Sequence, residues 1–366
     1  MEGFRVLFED LPDPRDINAG HDLTEILFIA VAAMLCGAQS CTDMHDFGEA
    51  KEPLLRRFLV LKHGIPSHDT FSRVFRALDP AAFEACFLRF VANFGQALGQ
   101  ARPQGVVAID GKSLRRAYEK GQAHMPKMMV SAFAAETRMT LAQTVAPGGD
   151  EIAGALRLLE LISLEGCTVT GDALHCHPRM AQAVRAAGAD YVLTIKGNHG
   201  PLMREATAAL DAAAAQHAFA ETTEQAHGRI ERRRAVVVTA PNTAVTHRFP
   251  GLAAFGRIEA WRTIDGVTTQ RVRRFALSKR LAPDKLLAVV RQHWQIENGA
   301  HWPLDVVFAE DLARNRKDNG PRNLAVGRRM TLNILRAHPD NASLAAKRKK
   351  AGWNDDFFIS LFTHMR

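Results

Sequence analysis

Val106-Val107-Ala108-Ile109-Asp110-Gly111-Lys112 sets four apolar residues directly against an acid, a glycine and a lysine. Such a run reads as a buried strand that ends by presenting a carboxylate at the edge of a sheet. Cys167-Thr168-Val169-Thr170-Gly171-Asp172 repeats the pattern later in the chain. Two buried strands that finish on Asp bring two carboxylates together, and adjacent carboxylates repel unless a cation lies between them. A divalent metal ion is the usual remedy.

The stretches around these strands fix their order. Strands are expected at Val106 to Asp110, Met128 to Ala134 and Thr140 to Ala146, followed by an amphipathic helix from Glu151 to Ser163 with Ile152, Leu156, Leu159 and Ile162 on one face. The strand ending at Asp172 comes next, then a helix Pro178 to Ala187 and a strand Tyr191 to Ile195 that runs into Lys196-Gly197-Asn198. Three strands, helix, strand, helix, strand is the order of an RNase H-like α/β sheet.

Upstream, Leu23 to about Leu98 recurs at helical spacing with breaks at Gly37, Pro53, Gly64-Ile65-Pro66 and Asp79-Pro80, so an all-α N-terminal domain of four or five helices is expected. Ser67 is a plausible N-cap for a helix through Phe71 to Leu78 that exposes Arg73 and Arg76. It reads either as a DNA-recognition helix or as an ordinary amphipathic helix with solvated arginines. Gln96 to Gly105 has no periodicity, which places the domain boundary there: 1–102 helical, 103–340 core.

Downstream of an alanine-rich helix, Leu202 to Ala215, the texture changes. His227 to Thr239 and Phe255 to Leu277 alternate apolar and polar residues and carry many arginines, among them Arg229 and Arg232. They read as a β-rich insertion, at about 218–282, with a basic face suited to DNA backbone and few acids beside it. Helical spacing returns with Leu286, Val290, His293 and Glu297 on one stripe. An acid on an inward stripe is costly unless paired or bound to a cation, which makes Glu297 the candidate third carboxylate. Pro303 cannot donate to the Gly299 carbonyl, so the helix is expected to kink or stop there. A last core helix, Leu324 to Leu335, precedes a basic C-terminal tail, 341–366.

Composition narrows the partners. The 366 residues are 47% hydrophobic, enough for a full core, and the net charge of +8 with pI near 9.5 favours a polyanion. The longest apolar run, Ile26 to Ala38, is shorter than the roughly 18 residues of a membrane span. Five scattered cysteines without a Cys-x-x-Cys pair, and no leader-like N-terminus, point to a reduced, cytoplasmic protein. Gly111-Lys112-Ser113 resembles the end of a phosphate-binding loop, but Val106 occupies the place of that motif's first glycine. His175 and His177 around Cys176 lack a spaced partner set and read as a polar loop.

Phosphoryl transfer on DNA requires an activated oxygen, a stabilised leaving oxygen and a neutralised phosphate, and two Mg2+ ions about 3.5–4 Å apart supply all three. Asp110, Asp172 and Glu297 would hold them; Mn2+ suits the same ligands. Glu310 and Asp311 are rival third acids, disfavoured because they lie past Pro303.

The chain also carries a family resemblance. Ile-Asp-Gly-Lys at 109–112, Gly-Asp-Ala at 171–173, Tyr-Val-Leu-Thr-Ile-Lys-Gly-Asn at 191–198, His-Gly-Arg-Ile-Glu at 227–231 and His-Trp-Gln-Ile-Glu-Asn at 293–298 resemble the DDE transposases of the ISAs insertion-sequence family, also called H-repeat-associated proteins. Leu304 to Phe308, Asn323 to Val326, Leu11 to Arg15 and Gly64 to Phe71 extend the similarity over nearly the whole chain. The resemblance implies a bacterial DNA transposase in which Asp110, Asp172 and Glu297 take the DDE positions. Hydrolysis at an element end would free a 3′-hydroxyl that attacks target DNA, with a homo-oligomer assembled on double-stranded terminal repeats. Where the wider group has Tyr, Arg and Lys around the glutamate, this chain has Val290, His293 and Leu304; Asp150 and Pro303 also depart from the pattern. Lys112, Lys196, Asn198, Arg229, Arg232, His293, Arg328 and Arg329, with Arg73 and Arg76, are the candidate DNA contacts. The alternatives are a catalytically inactive DNA-binding regulator and an RNase H-fold nuclease that does not transpose.

Overall fold

In the computed structural model, residues 2–99, 103–117, 127–213, 218–226 and 228–363 are described; His227 and residues 100–102 of the expected domain boundary lie outside them. Five helices come first: α1 (Glu2–Phe8), α2 (Leu23–Leu35), α3 (Cys41–Leu55), α4 (His68–Ala77) and α5 (Pro80–Ala97). Ser67 caps α4 as expected, its side chain accepting from the Thr70 N–H, and Phe71, Val74 and Phe75 are its buried face.

The core is one mixed sheet. Its strands are β1 (Val106–Leu114), β2 (Lys127–Ala134), β3 (Met139–Val145), β4 (Thr168–Gly171), β5 (Asp190–Ile195), β6 (Phe219–Ala226), β7 (Arg229–Thr239), β8 (Ala254–Ile264) and β9 (Val267–Leu277). They lie in the order β3-β2-β1-β4-β5-β9-β8-β7-β6. The first five form the RNase H-like sheet: β1 is antiparallel to β2 and parallel to β4, and β4 is parallel to β5. The insertion is not a separate layer. β9 pairs antiparallel with β5, Val192 opposite Leu277, so its two hairpins prolong the core sheet to nine strands.

Helices cover both faces. α6 (Glu151–Leu161), α7 (Pro178–Ala186) and α8 (Gly200–Ala213) cover one, where Val107 and Ile109 meet Leu158, Met180 and Leu202. α9 (Pro283–His293) and the segment after it cover the other, where Ala108 and Phe133 meet Ile296 and Ala300. Alternation along β1 therefore puts Asp110 on the Ala108 face, two residues on. β1 does not end at Asp110: it runs on to Leu114, paired with β2, so the acid projects from within a strand.

α11 (Gly320–Ala337) joins the two halves. Asn323 donates from Nδ2 to the carbonyls of Phe75 and Leu78, and Asn333 accepts from the Thr140 N–H at 3.0 Å while donating to the Thr140 carbonyl at 2.9 Å. The second pair covers part of the open edge of β3, the terminal strand. The segment expected as a basic tail folds instead as α12 (Leu344–Trp353) and α13 (Asp355–Ser360), whose Ala351 and Phe358 join the N-terminal helices in one core. Lys347 donates to the carbonyls of Leu335 and His338, and Arg348 to those of Met34, Ala38 and Val307. Both cations are buried because they satisfy carbonyls that the ends of α2 and α11 leave open.

The segment carrying Glu297 is irregular earlier than expected. α9 ends at His293, a π-helical turn occupies Glu297–His301, and α10 (Trp302–Val306) follows. Pro303 sits in the first turn of α10, where its missing N–H costs nothing. Arg336 donates to the Gly299 carbonyl that Pro303 cannot serve. Gly299 itself lies so close to Phe133 that a Cβ there would stand 2.6 Å from the ring.

Two outcomes follow from this packing. Asn333→Ala strands the Thr140 N–H and C=O and should lower stability by about 2 kcal/mol or more in urea unfolding. Gly299→Ala should push the π-helical turn off β2, at a cost of about 1–3 kcal/mol, and alter the fluorescence of the flanking Trp294 and Trp302.

Candidate active site

Ile109 pairs with Gly171 across the parallel β1–β4 ladder, so Asp110 and Asp172 are the next residues at the same level of neighbouring strands. Glu297 comes in from the π-helical turn over them. All three line one cavity of about 260 Å³, together with Thr170, Lys196, Arg273 and His293.

Two histidines hold the acids. His301, buried beneath the turn, places Nδ1 3.0 Å from Glu297 Oε2 and 3.6 Å from Asp110 Oδ2. His175, also buried, places Nδ1 3.0 Å from Asp172 Oδ1 and Nε2 3.6 Å from Glu151 Oε1. An ionised carboxylate only accepts, so an ionised Asp172 accepts a hydrogen bond from the Nδ1–H of His175. Asp172 Oδ1 accepts also from the N–H groups of Leu174 and His175. Glu151 is a fourth acid: its carboxylate fills the room that a Cβ on Gly111 would need, so a larger residue at 111 would have to displace it.

The electrostatics follow from burial and these contacts. Burial raises the Asp110 carboxyl above the usual aspartate range, the His301 ring and the Gly111 N–H opposing it and the Asp172 charge adding to it. Burial raises Glu151 likewise. At Asp172 burial is outweighed by the His175 hydrogen bond and charge and by the two backbone N–H groups, which hold the carboxyl down at about 2. The hydrogen bond from His301 lowers Glu297. His293, bonded through Nδ1 to the Thr170 hydroxyl at 2.9 Å, is pushed by burial down to about 4 and is neutral at pH 7.

Among the described residues no lysine or arginine forms an ion pair with Asp110, Glu151, Asp172 or Glu297. Acids gathered this closely without a cation fit a divalent ion. One ligand atom each from Asp110, Glu297 and His301 lie within 4.8 Å of one another, while Asp172 stands outside that group on the next strand. Hard ions such as Mg2+ and Mn2+ prefer carboxylate oxygen to imidazole, so the acids suit them as ligands and His301 suits the role of orienting Glu297.

The expected DNA contacts divide by burial. Lys196 is exposed at the cavity, and Asn198 ties its loop to the Ala173 carbonyl at 2.8 Å. Arg73 is exposed, and Arg76 pairs with Asp318. Three residues lie inside the protein instead. Lys112 pairs with Asp305 at 2.6 Å and Asp311 at 3.1 Å, bracing the Glu297 segment onto β1. Arg328 and Arg329 are buried around Glu310, at 3.7 Å and 3.1 Å, while Asp311 is paired with Lys112 and Arg115. In the insertion the arginines have more acids beside them than their spacing in the chain implied. Arg229 pairs with Glu231, Arg232 with Glu221, and Arg233 with both Glu224 and Glu231. Arg271 and Arg273 have no acidic partner among the described residues, and Arg273 stacks on Trp294 at 4.8 Å. Both line a groove of about 740 Å³ that runs from the insertion to Glu297 and Asn298.

Sequence reasoning missed Glu151, His175 and His301. The spacing from Glu297 to His301, one helical turn, was the available signal for the last. No helix among the described residues is long and apolar enough to cross a membrane.

Residues 101–334 match the family described as Transposase DDE domain, and residues 6–91 match DDE_Tnp_1-associated. YbfL of Escherichia coli (strain K12) is 30% identical over 363 residues, covering 96% of this chain and 95% of the relative. YhhI, an H repeat-associated protein of the same strain, is 29% identical over the same lengths. A protein encoded in the dhlA 3′ region of Xanthobacter autotrophicus is 37% identical over 289 residues, 76% of this chain and 95% of its own. The chain belongs to the DDE transposase family, in its H repeat-associated branch.

Proposed function

We propose that this transposase cleaves phosphodiesters at the ends of a DNA element and joins the freed 3′-hydroxyl to target DNA, with Asp110, Asp172 and Glu297 holding a pair of divalent ions, Mg2+ or Mn2+. The observation that carries the reading is the shared level of Asp110 and Asp172 on β1 and β4, with Glu297 facing them across one cavity and, among the described residues, no lysine or arginine paired to any of the three. Bound ions would activate the attacking oxygen, stabilise the leaving oxygen and neutralise the phosphate between them.

The chain's own groups supply positioning. Asp110, within a strand that continues to Leu114, cannot drift away from its neighbour. His175 fixes Asp172 and His301 fixes Glu297, leaving the remaining carboxylate oxygens as ligands. Neutral His293, set by Thr170, offers the phosphate a hydrogen-bonding ring without a charge, while Lys196 and Arg273 bring positive charge to the cavity. Hydrolysis leaves a 3′-hydroxyl and a 5′-phosphate. In joining, that hydroxyl oxygen bonds to a target phosphorus as a target 3′ oxygen departs with the proton. One phosphodiester forms for each that breaks, so the second step needs no external energy source. Arg271 and Arg273 in the insertion groove are the proposed contacts to the element end, with Arg229 beside them; Arg232, which does not line the groove, is paired with Glu221.

Cleavage of a duplex spanning the element boundary should require Mg2+ or Mn2+ and stop with EDTA. Asp110→Asn should lower it by at least about 10³-fold, equivalent to several kcal/mol of lost charge stabilisation, with binding retained. Equal cleavage by wild type and variant would sink the reading. Mg2+ should raise the melting temperature of the wild type and not of Asp110→Asn, since only the former gains by relieving carboxylate repulsion. His301→Ala should weaken the metal dependence about 10–100-fold.

A further inference from the structure

A second groove, of about 710 Å³, lies on the helical side of the Glu297 segment, between α10, the β2–β3 turn, the end of α11 and the first turns of α12. Arg138, Arg336, Lys347, Arg348 and Lys349 line it with Trp302, and no Asp or Glu does among the described residues. The insertion groove differs: its arginines are interleaved with Glu224 and Glu231. Both grooves reach Asn298, the residue after Glu297, so they meet beside the acid cluster.

The five cations are not equivalent. Lys347 and Arg348 are committed to helix-end carbonyls, and Arg336 to the Gly299 carbonyl. Arg138 and Lys349 are exposed and have no acidic partner among the described residues. Trp302 exposes 55% of its surface beside them. Free cations around an exposed aromatic, unrelieved by any acid, suit a polyanion that also has apolar faces, which is the chemistry of nucleic acid.

We infer that this groove holds the duplex that flanks the element, on the far side of the cleaved phosphate. The inference rests on the function proposed above and adds the path of the DNA. A duplex that lies in the insertion groove with its scissile phosphate at Glu297 is one continuous molecule, and what lies beyond the phosphate must leave past Asn298. The acid-free groove is what it meets there. Target DNA takes the reacting phosphate's place only after the flank has gone, so the flank is the occupant whose path the two grooves fix.

The experiment uses the full chain, its Arg138→Glu/Lys349→Glu variant and a milder Arg138→Gln/Lys349→Gln variant. Two duplexes span the element boundary: one with about two helical turns of flank, one ending flush at the cleavage point. The wild type should bind the flanked duplex more tightly. The charge-reversed variant should lose about tenfold or more of that affinity, and its salt slope should flatten by about 2, with flush-duplex binding unchanged. The Gln variant should fall between, with an unaltered melting temperature. Unchanged binding to both duplexes would overturn the inference, and so would equal loss on both, which would assign the groove to the element end. Loss confined to joining of flush ends into a plasmid would assign it to target and overturn it as well. Failure of the wild type to cleave with any divalent ion would sink the proposed function instead, while the flanked-versus-flush comparison would still decide the groove.

Discussion

Everything near Glu297 answers to one constraint: four carboxylates are gathered at the end of two parallel strands, partly out of water, and the groups that pair with them directly among the described residues are imidazoles. Flexible acids would relieve such repulsion by moving apart. These cannot, because Asp110 is paired with Ser131 of β2 one residue beyond the β4 ladder, and because Asp172 Oδ1 is held by three donors. The repulsion is held in place, and the remainder of the fold must be stable enough to carry it. The nine-stranded sheet and the helical body do that from two sides.

The glutamate's position shows how an irregularity becomes useful. A regular helix through Pro303 would leave the Gly299 carbonyl orphaned. The chain widens into a π-helical turn instead, restarts as α10 with the proline in its first turn, and recruits Arg336 for the carbonyl. Such turns are common where a side chain must be aimed rather than merely buried. Lys112, through Asp305 and Asp311, anchors the same segment from below, so a residue beside the first acid sets the placement of the third.

Much of this was legible in the chain. Because both patterns follow from local periodicity, apolar runs ending on Asp pointed to two candidate acids and the helical stripe through Leu286, Val290 and His293 to a third, and the three line one cavity. What stayed hidden depends on register or on distant partners. β6 was not anticipated: Phe219–Ala226 has no buried side and so no alternation to read. The insertion's ion pairs were invisible because Arg232 meets Glu221 only across a hairpin. His175 resembled a loop residue because its partner Glu151 lies a helix and a strand earlier, and the lysine-rich segment resembled a tail because its Arg348 satisfies the Met34 and Ala38 carbonyls at the far end of the chain.

That last arrangement reaches beyond packing. The first helices share a single core with α11, α12 and α13, and Arg348 closes the end of α2 from more than three hundred residues away. As the chain leaves the ribosome, its N-terminal helices have no complete surface to fold against until α12 and α13 emerge. A copy of the gene that has lost its 3′ end would therefore leave Phe28 and Phe47, near the beginning of the protein, without the Phe362 and Phe358 rings they pack against.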